Sequence, residues 1–438
     1  MDNRNLPEHQ AARAALFKDR NFLWLISGGT LTMLGDQFTI IALPWLVLKM
    51  TGDTLVLGTV LALISVPRAL FILVGGAVVD RHSPKAVNLL TKYVNTVLLG
   101  ALSAGVFTGT LTMPMVYVLA LGIGLATAFS IPSGMSLLPR AIAPQHLAAA
   151  NGITMGLRQL TFFLGPLLAG LLIALFGDGS GGQLANANGI ALAFGFDALS
   201  FAVSAWTLRK VRIREQPAQP HPSTPPVWQS IREGLAHVAG DAHLRTCYLY
   251  WAAVAVLVLG PLQIALPVLA SQRPELGASA LGIMAGSHGA GTLFGMAISG
   301  ARPNLRIGTL GTTVLVFDVV IGLLFMPMGH IGSAWQGALL MALVGLLGGS
   351  MQVSVFTWLQ RRVPPAMLGR AMSMFMFIFM GLVPIASALT GVVLRAVTLQ
   401  QLFAWSGALL VAAALVAFVA SPMRGVSDPQ PAPAGSGR

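Results

Sequence analysis

Residues 209–228 read RKVRIREQPAQPHPSTPPVW. Four basic residues, Arg209, Lys210, Arg212 and Arg214, are followed by Pro217, Pro220, Pro222, Pro225 and Pro226. A basic cluster halts a membrane segment at its cytoplasmic face. Proline at this density favours an extended linker. Beyond it Trp228, Ile231, Leu235 and Val238 recur at three- and four-residue spacing, with Arg232 and Glu233 elsewhere on the wheel. That is the pattern of a short helix lying in an interface plane. Residues 209–243 form the longest polar interruption in the chain and are read as a linker.

Six apolar stretches precede the linker, near 22–48, 54–79, 88–109, 113–136, 150–176 and 190–208. Six follow it, near 244–270, 278–300, 307–327, 335–359, 366–395 and 399–421. Each is long enough to cross ~30 Å of hydrocarbon as a helix of ~20 residues. The expected fold is an all-α membrane protein of twelve transmembrane helices in two six-helix bundles. Its parts are an N-terminal segment 1–21, a bundle 22–208, the linker 209–243, a bundle 244–421 and a tail 422–438. The tail is rich in Pro, Gly and Ser and is expected to be disordered.

Charge sets the orientation. Of the 26 Lys and Arg, 21 fall in the termini and alternate gaps, and only Lys49, Arg273 and Arg395 fall in the other gaps. Arg68 and Arg158 lie within spans, while Lys92 is assigned to the basic rim. The positive-inside rule then puts both termini in the cytoplasm. Composition agrees, since 55% of the chain is hydrophobic and 9% charged, against about a quarter charged in soluble domains. The net charge of +12 is spread over the rim and not gathered in one module. It is read as attraction to anionic membrane lipids, not to nucleic acid. Cys247 is the only cysteine, so neither an internal disulfide nor a cysteine metal site is expected. The first twenty residues are polar, so no cleavable signal peptide is expected.

The two halves repeat. Leu43-Pro44 returns as Leu266-Pro267 at an offset of 223, and Leu57-Gly58 as Leu281-Gly282 at 224. Pro144, Leu147 and Gly170 return as Pro365, Leu368 and Gly391, all at 221. A nearly constant offset over three regions points to two pseudo-symmetric bundles.

Short motifs carry a family resemblance. Gly76-Ala-Val-Val-Asp80-Arg81-His-Ser-Pro-Lys85 closes the second span. It resembles the loop 2–3 signature of the major facilitator superfamily: Gly, three residues, Asp-Arg, and a basic residue five positions past the Asp. Ser83 stands where the family usually has Gly. Gly165-Pro166-Leu-Leu-Ala-Gly170 resembles the Gly-Pro antiporter motif of facilitator exporters, with Ala169-Gly170 for the usual Gly-Gly pair and Thr161 for an upstream Gly. Pro132, Leu138-Pro139, Leu147, Ala150-Asn151 and Phe196-Asp197-Ala-Leu-Ser200-Phe201 are similar to the branch of enterobactin export and macrolide efflux proteins. The resemblance covers essentially all twelve spans. It implies a secondary transporter with a central site between two rocking halves. It also implies that Asp80 and Arg81, with Gly76 and Lys85, latch the cytoplasmic side against the start of the eleventh span. The bend at Gly165-Pro166 would shape the opposite seam.

Ionisable residues inside spans are costly and face cavities or partners. Asp36 in the first span is the expected proton carrier, with Arg68 or Arg158 as alternative partners in a permanent pair. Arg158 is a candidate for an anionic substrate group or for tuning Asp36; snorkelling to the interface is its competing reading. Arg68 is deeper and reads as a structural pair. Asp197 and Asp318 read as structural charges. His288 titrates in the useful range but also fits a hydrogen-bonded packing role. Phe and Met crowd Met372–Met380 of the eleventh span, which suits a flexible apolar cavity wall.

No Gly-x-x-x-x-Gly-Lys loop is present, so transport would run on a gradient. The expectation is an inner-membrane exporter of an amphipathic small molecule, a siderophore or hydrophobic drug, exchanged for protons or another coupling ion. It would act as a monomer without cofactor or metal. An importer or a lysolipid flippase of the same architecture is the alternative. A membrane enzyme or receptor is the third reading. The eight histidines are scattered without His-x-x-His or His-x-x-x-His spacing, so no catalytic constellation appears.

Overall fold

The computed structural model describes residues 16–81, 83–179, 186–213, 227–273, 276–302 and 306–427; for 72–81, 227–231, 234, 237, 365, 366, 369, 370, 373 and 380 it describes the backbone alone. In the first half, helices run Arg20–Thr51 (α1), Thr54–Arg81 (α2), Pro84–Phe107 (α3), Met113–Ala141 (α4), Leu147–Phe176 (α5) and Asn188–Lys210 (α6). The linker helix is Val227–Gly240 (α7). The second half comprises Ala242–Gln272 (α8), Gly277–Ala301 (α9), Leu310–His330 (α10), Ala334–Arg362 (α11) and Leu399–Ala420 (α13). Helix α12 joins Pro365–Phe377 to Val383–Val393 through a π-helical turn, Ile378–Leu382. A second π-helical turn, Ala255–Leu259, lies in the middle of α8. Each of the twelve expected spans corresponds to one long helix.

Local chemistry sets the ends. Asp19 Oδ1 accepts from the backbone N–H groups of Asn21 (2.8 Å) and Phe22 (3.4 Å), capping α1. Gly52 closes α1 in the left-handed region at φ 62°, where a side chain would be strained. Asp53 Oδ1 accepts from Leu55 N–H at 2.7 Å to start α2. Thr398 and Gln401 form a reciprocal capping box on α13.

In the first bundle α1 packs on α5 and α6, α3 on α4 and α6, and α2 on α4. In the second, α9 packs on α11, α10 on α13 and α8 on α12. The repeat holds at single residues. Gly124 of α4 lies against the Ile64 carbonyl of α2, and Gly345 of α11 against the His288 carbonyl of α9. The offsets from Gly124 to Gly345 and from Ile64 to His288 are those of the sequence repeat, 221 and 224.

Two seams join the halves, α5 with α9 and α2 with α12. They are equivalent under the repeat. A Cβ on Gly170 would lie 2.7 Å from Ala278 O, and one on Gly391 would lie 2.5 Å from Thr54 O. Only glycine lets the backbones approach this closely. Thr54 Oγ1 also donates to Gly391 O at 2.9 Å. Asp53 and Arg395 add an ion pair across the second seam. These contacts lie at the end of the molecule where α1 passes into α2, opposite the start of α1 at Arg20 and the end of α13 at Ala420. Along α5 the seam runs back through Phe162 and Phe163 to Gln159, whose Nε2 donates to Met296 Sδ at 2.8 Å. The preceding turns of α5 leave it: Gly152 and Gly156 have open space where a Cβ would stand.

One expectation needs correction. Residues 422–438 were expected to be disordered, but 421–427 dock. Met423 and Val426 are buried, Trp358 Nε1 donates to Ser427 O at 3.0 Å, and Gly311 N–H donates to Val426 O at 3.0 Å. Two buried apolar side chains and hydrogen bonds to two backbone carbonyls outweigh a Pro/Gly-rich composition. Residues 428–438 lie outside the described residues.

Candidate functional site

Helix α1 has a small, polar face. Gly28, Thr32, Gly35 and Thr39 recur at three- and four-residue spacing, and this face packs on α6. A side chain at Gly28 would strike Ser204 and Thr207, and one at Gly35 would strike Asp197 and Ser200. Asp197 is 1% exposed. Its Oδ2 accepts from Thr39 Oγ1 and its Oδ1 from Ser200 Oγ at 3.2 Å, so hydroxyls from α1 and α6 occupy both oxygens.

Asp36 lies next to this face but is exposed. The charges acting on it come from Lys92 of α3 and Arg68 of α2. The charges that act on it therefore all belong to the first bundle. No donor or contact ion pair meets its carboxylate among the described residues. Asp197 is the fourth charge of the cluster. Three of these four residues were read as intramembrane charges in the sequence. The fourth, Lys92, was assigned to the basic rim. It is 8% exposed inside α3, with Nζ 3.5 Å from Thr32 Oγ1 and 5.6 Å from the centre of the Phe201 ring. The helix begins at Pro84, earlier than hydropathy indicates, because proline at the first helical turn starts α3 while Lys85 still reads as loop. The missed signal was a polar stripe: Asn88, Thr91, Lys92 and Asn95 share one helix face and all are buried. Two atoms near the cluster lack partners, Arg68 Nε and Asn95 Oδ1.

Arg158 is not part of this cluster. It is exposed on α5, with its guanidinium 5.5 Å from the centre of the Phe162 ring at the edge of the seam. Asp318 is 1% exposed and accepts from Tyr250 Oη at 2.9 Å, tying α10 to α8. His288 lies where α9 crosses α11; its carbonyl meets Gly345 and accepts from Thr292 Oγ1 at 2.9 Å.

The antiporter-like motif is the junction of three helices. Gly165 lies against the Gln37 side chain of α1. The Pro166 carbonyl lies 2.5 Å from where a Cβ on Gly282 of α9 would stand, and Gly170 completes the seam. The side chains of Gly76, Asp80 and Arg81 lie outside the described residues. Lys85, grouped with them by resemblance, donates from Nζ to Arg209 O (2.9 Å) and Val211 O (2.6 Å). There it caps the C-terminal end of α6, where exposed carbonyls favour a cation. The Met/aromatic run of the eleventh span also divides. Phe375 packs edge-on to Trp251 and Phe356, while Phe377 is 66% exposed. One face of the run is core, so it is not a continuous cavity wall.

Two bundles of six spans, joined by glycine-lined seams and enclosing a charge cluster, define a membrane carrier. The chain belongs to the Major Facilitator Superfamily, whose family model matches residues 25–388. It is a transporter rather than an enzyme. The multidrug efflux pump Tap of Mycobacterium tuberculosis is 30% identical over 385 residues, covering 84% of this chain and 86% of Tap. The enterobactin exporter EntS of Shigella flexneri is 26% identical over 373 residues, covering 83% and 80%. Among solved structures, a mutant form of the nucleoside transporter NupG superposes with TM-score 0.71 at 15% identity, covering 90% of this chain and 99% of that one. A bacterial homologue of the iron transporter ferroportin, in an inward-facing state, gives 0.65 at 20% identity, covering 91% and 96%.

Proposed function

We propose that this protein is a proton-coupled exporter of amphipathic small molecules, siderophores or hydrophobic drugs, working by alternating access in the inner membrane with both termini cytoplasmic. The observation that carries the reading is Asp36. It is a carboxyl in the middle of a membrane helix, exposed and without a contact partner among the described residues. A carboxyl so placed is kept for a purpose, because an ionisable group there costs several kcal/mol. The named relatives, a drug pump and a siderophore exporter, support the outward direction. In this reading the structure is the inward-open state, closed at the end remote from the termini. Asp80 and Arg81 would latch the opposite end in the outward-open state. Arg158, at the edge of the seam, would meet substrate. His288, Asp197 and Asp318 would serve packing.

The test uses everted membrane vesicles energised to be acid inside. The pH gradient is followed with a quenched dye while siderophores, macrolides, tetracyclines and lysolipids are added in turn. A compound that dissipates the gradient with wild type and not with Asp36→Asn supports the reading. Labelled compound accumulating without proton movement refutes the coupling, and gradient loss with lysolipid alone would point to a flippase.

A further inference from the structure

The four intramembrane charges of the first bundle are unequally satisfied. Asp197 is occupied by the hydroxyls of Thr39 and Ser200. Asp36 meets no donor among the described residues. Arg68 Nε is buried without a partner. Among the described residues the Lys92 ammonium has one hydrogen-bonding neighbour, Thr32 Oγ1 at 3.5 Å, and lies over the face of Phe201. An ammonium carries three donors, so Lys92 is under-bonded. Thr32, on which it rests, and Asp36, whose charge acts on it, stand four residues apart on α1. Residues so spaced project from the same helix face about 5–6 Å apart. The flexible four-carbon stem of lysine covers that step by rotamer change, with no movement of the backbone.

We propose that Lys92 is an internal counter-ion that alternates with the proton at Asp36. While Asp36 carries a proton, the ammonium rests on Thr32, as in this structure. When the O–H bond of Asp36 breaks, the proton passes to water at the exposed carboxyl and the ammonium moves one turn to pair with the carboxylate. Lys92 neither gains nor loses a proton. Its charge competes with proton rebinding and so drives release on the side where the bundle is open. Asp197, already bonded, holds α1 against α6 while the exchange occurs, and Arg68 supplies a fixed positive charge from α2. This rests on the reading of Asp36 as proton carrier, and Lys92 is a positioning residue for it.

The test needs no substrate. Purified full-length protein in lipid nanodiscs is treated with dicyclohexylcarbodiimide, an apolar reagent that modifies protonated carboxyls, and modification is read site by site by mass spectrometry. At about pH 7, Asp36 in Lys92→Gln and Lys92→Met should react at least about fivefold faster than in wild type, because the competing cation is gone. Lys92→Arg should restore a rate near that of wild type. Asp318 in the other bundle should react alike in all four proteins, which verifies the fold. Equal Asp36 rates in wild type, Lys92→Gln and Lys92→Met would overturn the exchange while leaving the proton-carrier reading in place. An Asp36 rate in wild type that does not change with pH would overturn both.

Discussion

The two bundles share one backbone plan and hold different chemistry inside it. At equivalent positions, Gly124 meets the Ile64 carbonyl and Gly345 meets the His288 carbonyl. The equivalent seam glycines, Gly170 and Gly391, each meet the other half. Yet the first bundle encloses Asp36, Arg68, Lys92 and Asp197, while the second has Asp318 with Tyr250 and an aromatic cluster around Trp251, Trp358 and Phe375. Both π-helical turns among the described residues lie in the second bundle, in contact with one another. Such turns loosen a helix locally and often sit at functional positions. Close backbone approach at glycine recurs across the repeat because it builds the scaffold. The side chains between glycines are free to diverge, so one half carries the charge cluster and the other both described π-helical turns.

The sharpest way to break this comparison is to exchange carboxyls for amides in both halves. Asp36→Asn should reduce substrate-driven proton movement by about a hundredfold or more, a barrier change near ~3 kcal/mol. Asp318→Asn should leave most of it, as followed by dye quenching in everted vesicles. Equal losses would end the division of labour. Next come the glycines. Gly345→Leu and its counterpart Gly124→Leu should each destabilise by about 1–3 kcal/mol or more through overpacking. The size of the two effects should match, as measured by thermal unfolding in detergent. A large effect at one position only would show that the repeat is not mechanically equivalent.

Tyr250→Phe removes the described donor to Asp318 and should cost about 1–3 kcal/mol in unfolding while transport persists. The smallest effect is expected at the rim. Arg395 donates to Asp53 and holds its carboxyl below the usual carboxylate range. A lowered value means that the pair favours the closed state above the ordinary range of aspartate, near about pH 4. It loses that contribution as pH falls through the lowered value. Asp53→Asn should shift the closed–open balance by less than about 1 kcal/mol, as for other exposed pairs. Spin labels at Thr110→Cys and Trp335→Cys, both exposed near the closed end, would report the shift as a broader distance distribution. Cys247 is the only native cysteine and is buried, so labelling there would be limited.

Much of this was legible in the chain. Length and hydropathy located each span, because a helix in hydrocarbon must satisfy its own backbone and be apolar for its whole length. The repeat was readable at Gly58, Gly170, Gly282 and Gly391, the residues that line the seams. What failed was the depth of single charges. Lys92 read as rim because hydropathy is averaged along the chain, whereas its burial depends on which face of α3 meets α1 and α6. The stripe of Asn88, Thr91 and Asn95 around it gave that face away, but only at helical spacing. Lys85, grouped with the loop motif by resemblance, also caps α6, a partner more than a hundred residues distant.

The sequence by itself determined the class, the twelve crossings, the internal repeat and the carboxyl at Asp36, since these rest on local composition and spacing. Only the tertiary structure decided which charges share a space. It set Lys92 and Arg68 beside Asp36 and left Arg158 apart. It occupied Asp197 with hydroxyls, docked 421–427 against α8, α10 and α11, and closed the seams at one end. Electrostatic and packing energies depend on separation in space, and residues from α1, α2, α3 and α6 meet only after the helices have packed.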